Sequence, residues 1–455
     1  MNFLLINGDQ FRHDCMGFRG LRGVKTPNLD SFAEESIVYT NAFTPLPVCA
    51  PARQSLLCGR HPDSFGAMWN YDQMPTPTVQ PEWCWPSKLA DAGVQTAYLG
   101  RFHVSPTLQP KDFGYQKHVS WAGHKQILKE KYSDVTHTGG WLGCESPIPV
   151  EDSGTHWMAD RACEVLEEFC AAGKPWHIWV DYEEPHLPCR PSAPFSQMYR
   201  PEDIEPWPGF GDTFENKPYC HKQQTWSWDT ADLTWDDLAP MVARYYGVVS
   251  QLDDAIGRII QKLKSLGQWE DTIVVFTSDH GDMCGSHNML DKHYVLYDDI
   301  IRVPLLVHYP GVAHMQCDSF VSNCLDIPAC ITQWFGLSTP EVVHGKPLPM
   351  TKEEDQAGRD CICATSNGQQ FGLYSTRALR DHRYKYVWNL TDNDELYDLV
   401  EDPGEKKNLI AEESQKERIT AMRHKLHALL SQHGDPFVKN EWMKRQLLDE
   451  RKHLR

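Results

Sequence analysis

The sequence has no long hydrophobic run and fewer positive than negative charges. No stretch of about 18 apolar residues occurs in its 455 residues, so no membrane-spanning helix is expected. Lysine and arginine number 44 against 62 aspartate and glutamate residues, which gives a net charge of −18. This balance disfavours a nucleic acid partner, because phosphate binding requires a basic surface. Internal repeats and low-complexity segments are also absent.

No secretion signal is predicted at the N-terminus. Residues 2–7 form a short run with no basic segment before it and no small-residue cleavage site after it. The 15 cysteines are odd in number and follow no repeated spacing, which is typical of reduced, mostly buried thiols. Cys361 and Cys363 are interpreted in the same way, as thiols and not as zinc ligands. We therefore expect a cytoplasmic protein.

Several apolar runs end abruptly in polar residues that are able to do chemistry. Short runs of this kind alternating with helical patterns predict a largely parallel sheet. Because ligand crevices lie outside the carboxyl ends of such strands, the polar clusters are expected to converge on one site. The runs are 3–6, 96–99, 177–180 and 272–276, and the clusters that follow them occupy residues 7–10, 100–103, 181–186 and 277–282.

The pattern of the chain changes after about residue 350. Residues 377–388 predict a pair of strands, residues 395–399 another strand, and residues 412–432 a helix. We therefore predict a large α/β domain over residues 1–354 and a smaller C-terminal domain over residues 355–455. The smaller domain is expected to combine an antiparallel sheet with a helix. Nothing in the sequence sets the oligomeric state.

The segment from Cys49 to Arg60, CAPARQSLLCGR, carries the strongest chemical signal. Pro51 near its start and Gly59 near its end predict a short helix that begins at about Cys49. The N–H groups of a helix N-terminus lack partners within the helix, so they favour anions. A nucleophile at position 49 would therefore meet an anionic substrate in a favourable field.

The motifs of the chain resemble those of the formylglycine-dependent sulfatase family of the alkaline phosphatase superfamily. That family carries Cys-x-Pro-x-Arg and then a Leu-x-x-Gly-Arg ending, which resembles residues 49–60 here. Two departures are Ala52, where the family usually has serine, and Arg101, where it usually has lysine. Further elements in family order are Gly8-Asp9-Gln10, Gly100 to His103, Pro185 to Pro188, Thr277 to Asp282 with Lys292, and Glu395 to Asn408.

The resemblance implies a fold, a modification and a metal. The fold is an alkaline-phosphatase-like three-layer sandwich with a mostly parallel central sheet, plus the smaller C-terminal α+β domain. A formylglycine-generating or radical-type maturation enzyme would convert Cys49 to formylglycine. Carboxylate and amide oxygens suit Ca²⁺ or Mg²⁺. The implied metal ligands are Asp9, Gln10, Asp279, His280 and the hydrated form of residue 49.

The resemblance also implies roles for the remaining polar residues. Arg53 would hold the hydrated formylglycine, while Lys292 and Arg101 would neutralise sulfate oxygens as charge develops. His186 would protonate the leaving alkoxide, and His103 would serve the collapse of the sulfated intermediate.

The expected substrate is a sulfate ester, most of all of a carbohydrate. Residues 59–70 resemble a stretch of glycosaminoglycan-type sulfatases, and Trp69 and Asn70 are the predicted substrate contacts. At least one tryptophan and one arginine are expected on the rim of the crevice. The candidate segments are the loop with Trp69 and Asn70, the tryptophan-rich connection 207–235 and arginines of the C-terminal domain such as Arg377. The main alternative is a phosphonate monoester or phosphodiester hydrolase of the same superfamily. A phosphatase with a serine or threonine nucleophile and a non-catalytic binding protein fit the residues less well.

Overall fold

A central sheet of eight strands organises the larger part of the chain, and the computed structural model describes residues 1–292, 294–338, 342–368 and 372–449. The sheet order is β4-β3-β5-β1-β6-β7-β2-β8. All neighbours are parallel except at β7, which runs antiparallel to both β6 and β2. Its strands are β1 (Asn2–Asp9), β2 (Ile37–Phe43), β3 (Gln95–Gly100), β4 (Lys117–Val119), β5 (Trp176–Pro185), β6 (Thr272–Ser278), β7 (Leu305–His308) and β8 (Met315–Ser322).

Helices cover both faces of this sheet. In chain order the helices are α1 (Pro27–Glu34), α2 (Cys49–Cys58), α3 (Trp85–Asp91), α4 (Ala122–Lys131), α5 (Gly154–Ala171), α6 (Tyr219–Ser227), α7 (Trp235–Ser265), α8 (Asp298–Ile301), α9 (Asn323–Trp334), α10 (Lys352–Gln356), α11 (Lys416–Gln432), α12 (Pro436–Lys439) and α13 (Glu441–Leu448). Helices α11 to α13 belong instead to the C-terminal part of the chain.

Strand β1 shows how the layers form. Leu4 and Ile6 pack with the apolar side chains of α1, α5 and α7, whereas Phe3 and Leu5 pack with those of α2, α3 and α9. Successive side chains of a strand point to opposite faces, so a strand covered on both faces reads as a continuous apolar run. The expected three-layer sandwich with a mostly parallel sheet is therefore confirmed.

The C-terminal part of the chain forms a second, antiparallel sheet of four strands in the order β12-β11-β10-β9. Its apolar face packs against α11, which confirms the predicted combination of strands and a helix. A further cluster around Phe43 and Ile300 joins this sheet to the larger domain through Ala364 and Ala378. The four strands are β9 (Cys361–Ser366), β10 (Thr376–Asp381), β11 (Tyr384–Asn389) and β12 (Glu395–Asp398).

Within the described ranges, no helix combines the length and the apolar composition that a bilayer crossing requires. The two longest helices, α5 and α7, instead pack against each other and against the sheet.

Arg377, one of the candidate arginines for the crevice rim, lies at this junction instead. The side chain is fully buried. Its Nε donates to Asp435 Oδ2 at 2.6 Å, and its guanidinium lies 3.5 Å from Asp63 Oδ1. Asp63 follows the nucleophile helix, so Arg377 ties the C-terminal sheet to the larger domain.

Replacing Arg377 with methionine should destabilise the protein strongly. Arg377→Met leaves Asp63 and Asp435 buried without their cation, and breaking a buried pair in this way costs about 3–5 kcal/mol. Urea unfolding of Arg377→Met and of the half-exposed control Arg445→Met measures the difference. The control should lose less than about 1 kcal/mol, as exposed ion pairs do. Equal losses in both variants would contradict the structural role.

Candidate active site

Three neighbouring strands bring three aspartates to one edge of the sheet. Strand β1 lies between β5 and β6, which brings Asp9 at its end, Asp181 on β5 and Asp279 just after β6 into contact with the same arginine, Arg53. Arg101 follows β3 on the far side of β5. Gly100 has a φ of +112°, and a Cβ there would lie 1.9 Å from the Asp181 carbonyl oxygen, so this close approach requires glycine.

Helix α2 carries Cys49 into this edge and begins and ends as the sequence predicts. Every residue of the helix is buried, and Gly59 ends it with a φ of +68°. The residue before the helix makes no side-chain cap. Instead, Asn70 Oδ1 accepts a hydrogen bond from the Ala50 N–H at 2.9 Å. Asn70 therefore fixes the N-terminus of the helix from a separate loop.

The Cys49 thiol lies at the centre of the site. Its Sγ is 3.2 Å from His280 Nε2 and 3.7 Å from Asp9 Oδ1. Burial would raise the pKa of Cys49, but Lys292 and His280, together with hydrogen bonds from two further histidines, hold it well below its usual value. The field at this position therefore favours negative charge.

Arg53, one helical turn after Cys49, contacts all three aspartates. Its Nε donates to Asp279 Oδ2 at 3.1 Å, one terminal nitrogen donates to Asp9 Oδ2 at 3.1 Å, and the other pairs with Asp181. Sequence reasoning gave Arg53 a different partner, the hydrated residue 49, and gave Asp181 no role. The sequence did carry a signal for Asp181, because it follows directly after the apolar run 177–180. Burial raises the pKa of Asp181 to about 7 even though Arg53 opposes the shift.

Four side chains could hold a metal ion between them. Single ligand atoms of Asp9, Cys49, Asp279 and His280 all lie within 4.8 Å of one another. His280 Nδ1 donates to the Gly281 carbonyl oxygen at 2.8 Å, so the lone pair of Nε2 faces the centre. Two carboxylates and one oriented imidazole fit a divalent cation well.

Gln10, the remaining predicted metal ligand, contacts both Asp279 and the buried cation Lys292. Its backbone N–H donates to Asp279 Oδ1 at 3.1 Å, and its Nε2 donates to Asp282 Oδ2 at 2.6 Å. Its Oε1 accepts from Lys292 Nζ at 2.9 Å. In this structure the amide oxygen is thus used by Lys292, and metal binding by Gln10 stays a prediction.

The predicted anion-binding cations lie on two sides of the centre. Lys292 is buried and contacts Asp291 Oδ1 at 3.0 Å as well as Gln10. Arg101 is partly exposed, and its guanidinium contacts Asp9 Oδ2 at 3.0 Å. An anion that reaches Cys49 therefore meets a positive charge from each side.

His186 has its proton positions fixed by its neighbours. Its Nδ1 donates to the Leu187 carbonyl oxygen at 2.6 Å, and its Nε2 lies 3.1 Å from Lys292 Nζ. Because Nδ1 keeps its proton for the carbonyl, protonation and deprotonation of the ring take place at Nε2. This is the geometry of a histidine that can pass a proton to a leaving group.

His103 lies on the other side of the thiol. Its Nε2 is 3.6 Å from Asp72 Oδ1, and its ring packs edge-on against Tyr71 at 5.1 Å between centroids. Burial would lower the pKa of His103, but Asp72 and Cys49 outweigh it and raise the pKa. Asp72 lies in a loop with no strand-end or motif signal, so sequence reasoning did not find it.

The residues predicted to contact the substrate make hydrogen bonds within the protein. Trp69 is partly buried, and its Nε1 donates to the Asn367 carbonyl oxygen at 3.4 Å. Asn70 is buried and caps α2 as described, so substrate contact by either residue stays a prediction. Trp207 is fully buried and donates to the Cys284 carbonyl oxygen at 2.7 Å. Trp207 is therefore not a tryptophan of the crevice rim, and the expectation that at least one tryptophan of the candidate segments lies there stays a prediction.

A second group of ligand-type side chains lies near the C-terminal sheet. Ligand atoms of His61, Cys363 and His433 lie within 4.8 Å of one another. The rings of His61 and His433 are stacked, with planes 18° apart and centroids 5.1 Å apart. Stacked rings direct their lone pairs side by side and not toward one ion, so we assign this group to packing.

Comparisons with known proteins identify the family of the chain. A model of the sulfatase family matches residues 1–337, and a model described as N-sulphoglucosamine sulphohydrolase, C-terminal, matches residues 285–432.

Two relatives match nearly the whole chain at 28% identity. The alignment with the arylsulfatase of Clostridium perfringens spans 100% of this chain and 99% of the relative. The alignment with the ulvan-active sulfatase of Formosa agariphila spans 97% of this chain and 83% of the relative. The phosphonate monoester hydrolase of Agrobacterium radiobacter shares the fold, with a TM-score of 0.82 at 24% identity over 95% of this chain and 96% of that one. The chain belongs to the sulfatase family and is a sulfuric ester hydrolase.

Proposed function

We propose that the enzyme hydrolyses sulfate esters of carbohydrates, with formylglycine made from Cys49 and one divalent cation. The observation that carries this proposal is the position of the Cys49 thiol. It lies at the buried N-terminus of α2, beside His280 Nε2 and Asp9, with cations on both sides. Of the side chains in this centre, only a modified Cys49 can supply the nucleophilic oxygen that sulfate ester hydrolysis of this family uses.

Two groups would complete the site. Asp9, Asp279 and His280 would hold a Ca²⁺ or Mg²⁺ ion, with Gln10 as an additional ligand if Lys292 releases its oxygen. Bound there, the ion supplies a Lewis acid that orients the nucleophile and offsets its charge. Because every residue of α2 is buried, a maturation enzyme must read Cys49 and its neighbours before the chain folds.

The side chains of the site divide the remaining work. Lys292 and Arg101 bind the non-bridging oxygens of the sulfate, where charge develops during the reaction. His186 donates a proton from Nε2 to the leaving oxygen, and Lys292 next to it can return a proton to the ring. His103, oriented by Asp72, acts on the hydroxyl of residue 49 when sulfate is released.

A carbohydrate is the substrate class that the relatives support best. The ulvan-active sulfatase aligns over nearly the whole chain. The phosphonate monoester hydrolase shares the fold but, at 24% identity, indicates no substrate. Comparing turnover of an aryl sulfate with that of an aryl phosphodiester decides between the two reactions, and faster turnover of the diester would favour the alternative.

The first prediction concerns residue 49. Active enzyme should carry formylglycine, so the peptide containing Cys49 loses one sulfur and two hydrogens and gains one oxygen in its mass spectrum. Cys49→Ala should abolish turnover and leave thermal unfolding nearly unchanged, because a single buried thiol contributes little to the core. Cys58→Ala, at the other end of the same helix, is the matched control and should stay active. Full activity of Cys49→Ala would reject the assignment.

The second prediction concerns the metal. Asp279→Asn removes one negative charge from the proposed ligand set, so it should lower both the bound metal per chain and kcat. Elemental analysis of the purified variant and titration with Ca²⁺ and Mg²⁺ measure the two effects. Asp271→Asn, before β6 and outside the site, is the control. A metal content that is the same in wild type, variant and control would remove Asp279 from the ligand set.

The third prediction concerns the leaving group. A sugar alkoxide needs a proton as it departs, whereas nitrophenolate hardly does. His186→Ala should therefore lower kcat/KM for sugar sulfates by about 10²–10⁴ and that for 4-nitrophenyl sulfate much less. Equal losses on both substrates would leave His186 as a sulfate ligand without a role as an acid.

A further inference from the structure

A cavity of about 360 Å³ opens beside the catalytic centre, on the side where the leaving group departs. Arg101 and His186 form the part of its wall that faces the site. The volume is in the range of pockets that bind small molecules. The rest of the wall comes from α4, the loops around residues 146–154 and the segment that follows β5. We call this space the side cavity.

The side cavity carries cations that have no acidic partner. Lys125 on α4 and Arg190 after β5 line it together with Arg101. Among the residues that the structure describes, neither Lys125 nor Arg190 forms an ion pair, and the Arg190 Nε is buried without a hydrogen-bond acceptor.

Two acidic residues, Glu183 and Glu184, line the side cavity together with its three cationic side chains. Glu184 lies in its wall, and its Oε2 is buried without a partner. Burial, reinforced by the neighbouring Glu183, raises the pKa of Glu184 to about 8. At neutral pH its carboxyl group is therefore mostly protonated and can donate a hydrogen bond. Trp121 adds an apolar surface against which a sugar ring can pack.

We propose that the side cavity binds a second anionic group of the substrate, a carboxylate or a further sulfate on the sugar that carries the scissile ester or on the adjoining sugar. Arg190 and Lys125 are its specificity-determining residues, and Arg101 lies between them and the scissile sulfate. This inference rests on the proposed carbohydrate sulfatase function and narrows the substrate class to acidic sugars.

The test compares charge-removing variants on substrates that differ only in the second anion. Arg190→Met and Lys125→Met keep most of the side-chain volume and remove the charge. Each should raise KM for a sulfated uronic acid disaccharide or a disulfated sugar by about 10–100-fold, the size of one charged hydrogen bond, with kcat nearly unchanged. KM for a neutral monosulfated sugar and for 4-nitrophenyl sulfate should stay the same. Lys129→Met, one turn further along α4 and outside the cavity wall, is the matched control.

Each outcome of this experiment decides something. A loss confined to the uronic acid substrate identifies a carboxylate as the second anion, and a loss confined to the disulfated sugar identifies a sulfate. Equal losses on neutral and acidic substrates, or no loss on either acidic substrate, overturn the proposal. If the wild type hydrolyses no sulfate ester, the proposed function fails. Calorimetric binding of the desulfated acidic sugars to wild type and Arg190→Met then still tests the side cavity by itself.

Discussion

The contact between Arg53 and three buried aspartates is the interaction on which the rest of the site depends. Asp9, Asp181 and Asp279 belong to three neighbouring segments of the sheet, and the guanidinium of Arg53 reaches one oxygen of each. A planar fork with five N–H groups can do this, whereas the single ammonium of lysine cannot reach all three acceptors in this way. The position of α2, and therefore of Cys49, follows from where Arg53 must lie.

The single positive charge of Arg53 does not balance three carboxylates, and the pKa values of these carboxyl groups reflect the imbalance. Burial and the charge of Asp9 raise the pKa of Asp279, and the pKa of Asp181 lies at about 7. Asp9 behaves differently: burial and Cys49 oppose its ionisation, but Arg53, His186 and Arg101 hold its pKa below the usual value. A divalent cation between Asp9 and Asp279 would relieve this repulsion. The same excess of negative charge explains why the side chains of Lys292 and Arg101 point toward the centre of the site.

Much of this arrangement could be predicted from the sequence, because it follows from local rules. Apolar runs ending in polar residues marked the strand ends that carry Asp9, Arg101 and Asp279, and Pro51 and Gly59 marked the limits of α2. The parts that could not be predicted depend on partners far away in the chain. Arg377 pairs with Asp63, which is 314 residues away in the sequence. The residues next to Arg377 in the sequence include other charged residues, and this local pattern would look the same for an exposed arginine. Asn70 was predicted only as a substrate contact, because no local pattern shows that it also caps a helix twenty residues earlier.

A protein with a large negative net charge can bind a negatively charged substrate if the charges near the binding site differ from the overall charge. Charges further away than about 8–10 Å are largely screened at physiological salt, so the overall charge of −18 hardly reaches the catalytic centre. Only the groups that line the path to Cys49 act on the substrate at close range. Arg101, Lys125 and Arg190 line this path together with Glu183 and Glu184, and the raised pKa of Glu184 leaves the three cations facing one ionised carboxylate less. Selection for a second anion can therefore come from three side chains, while the remaining acidic surface disfavours polyanions such as nucleic acids.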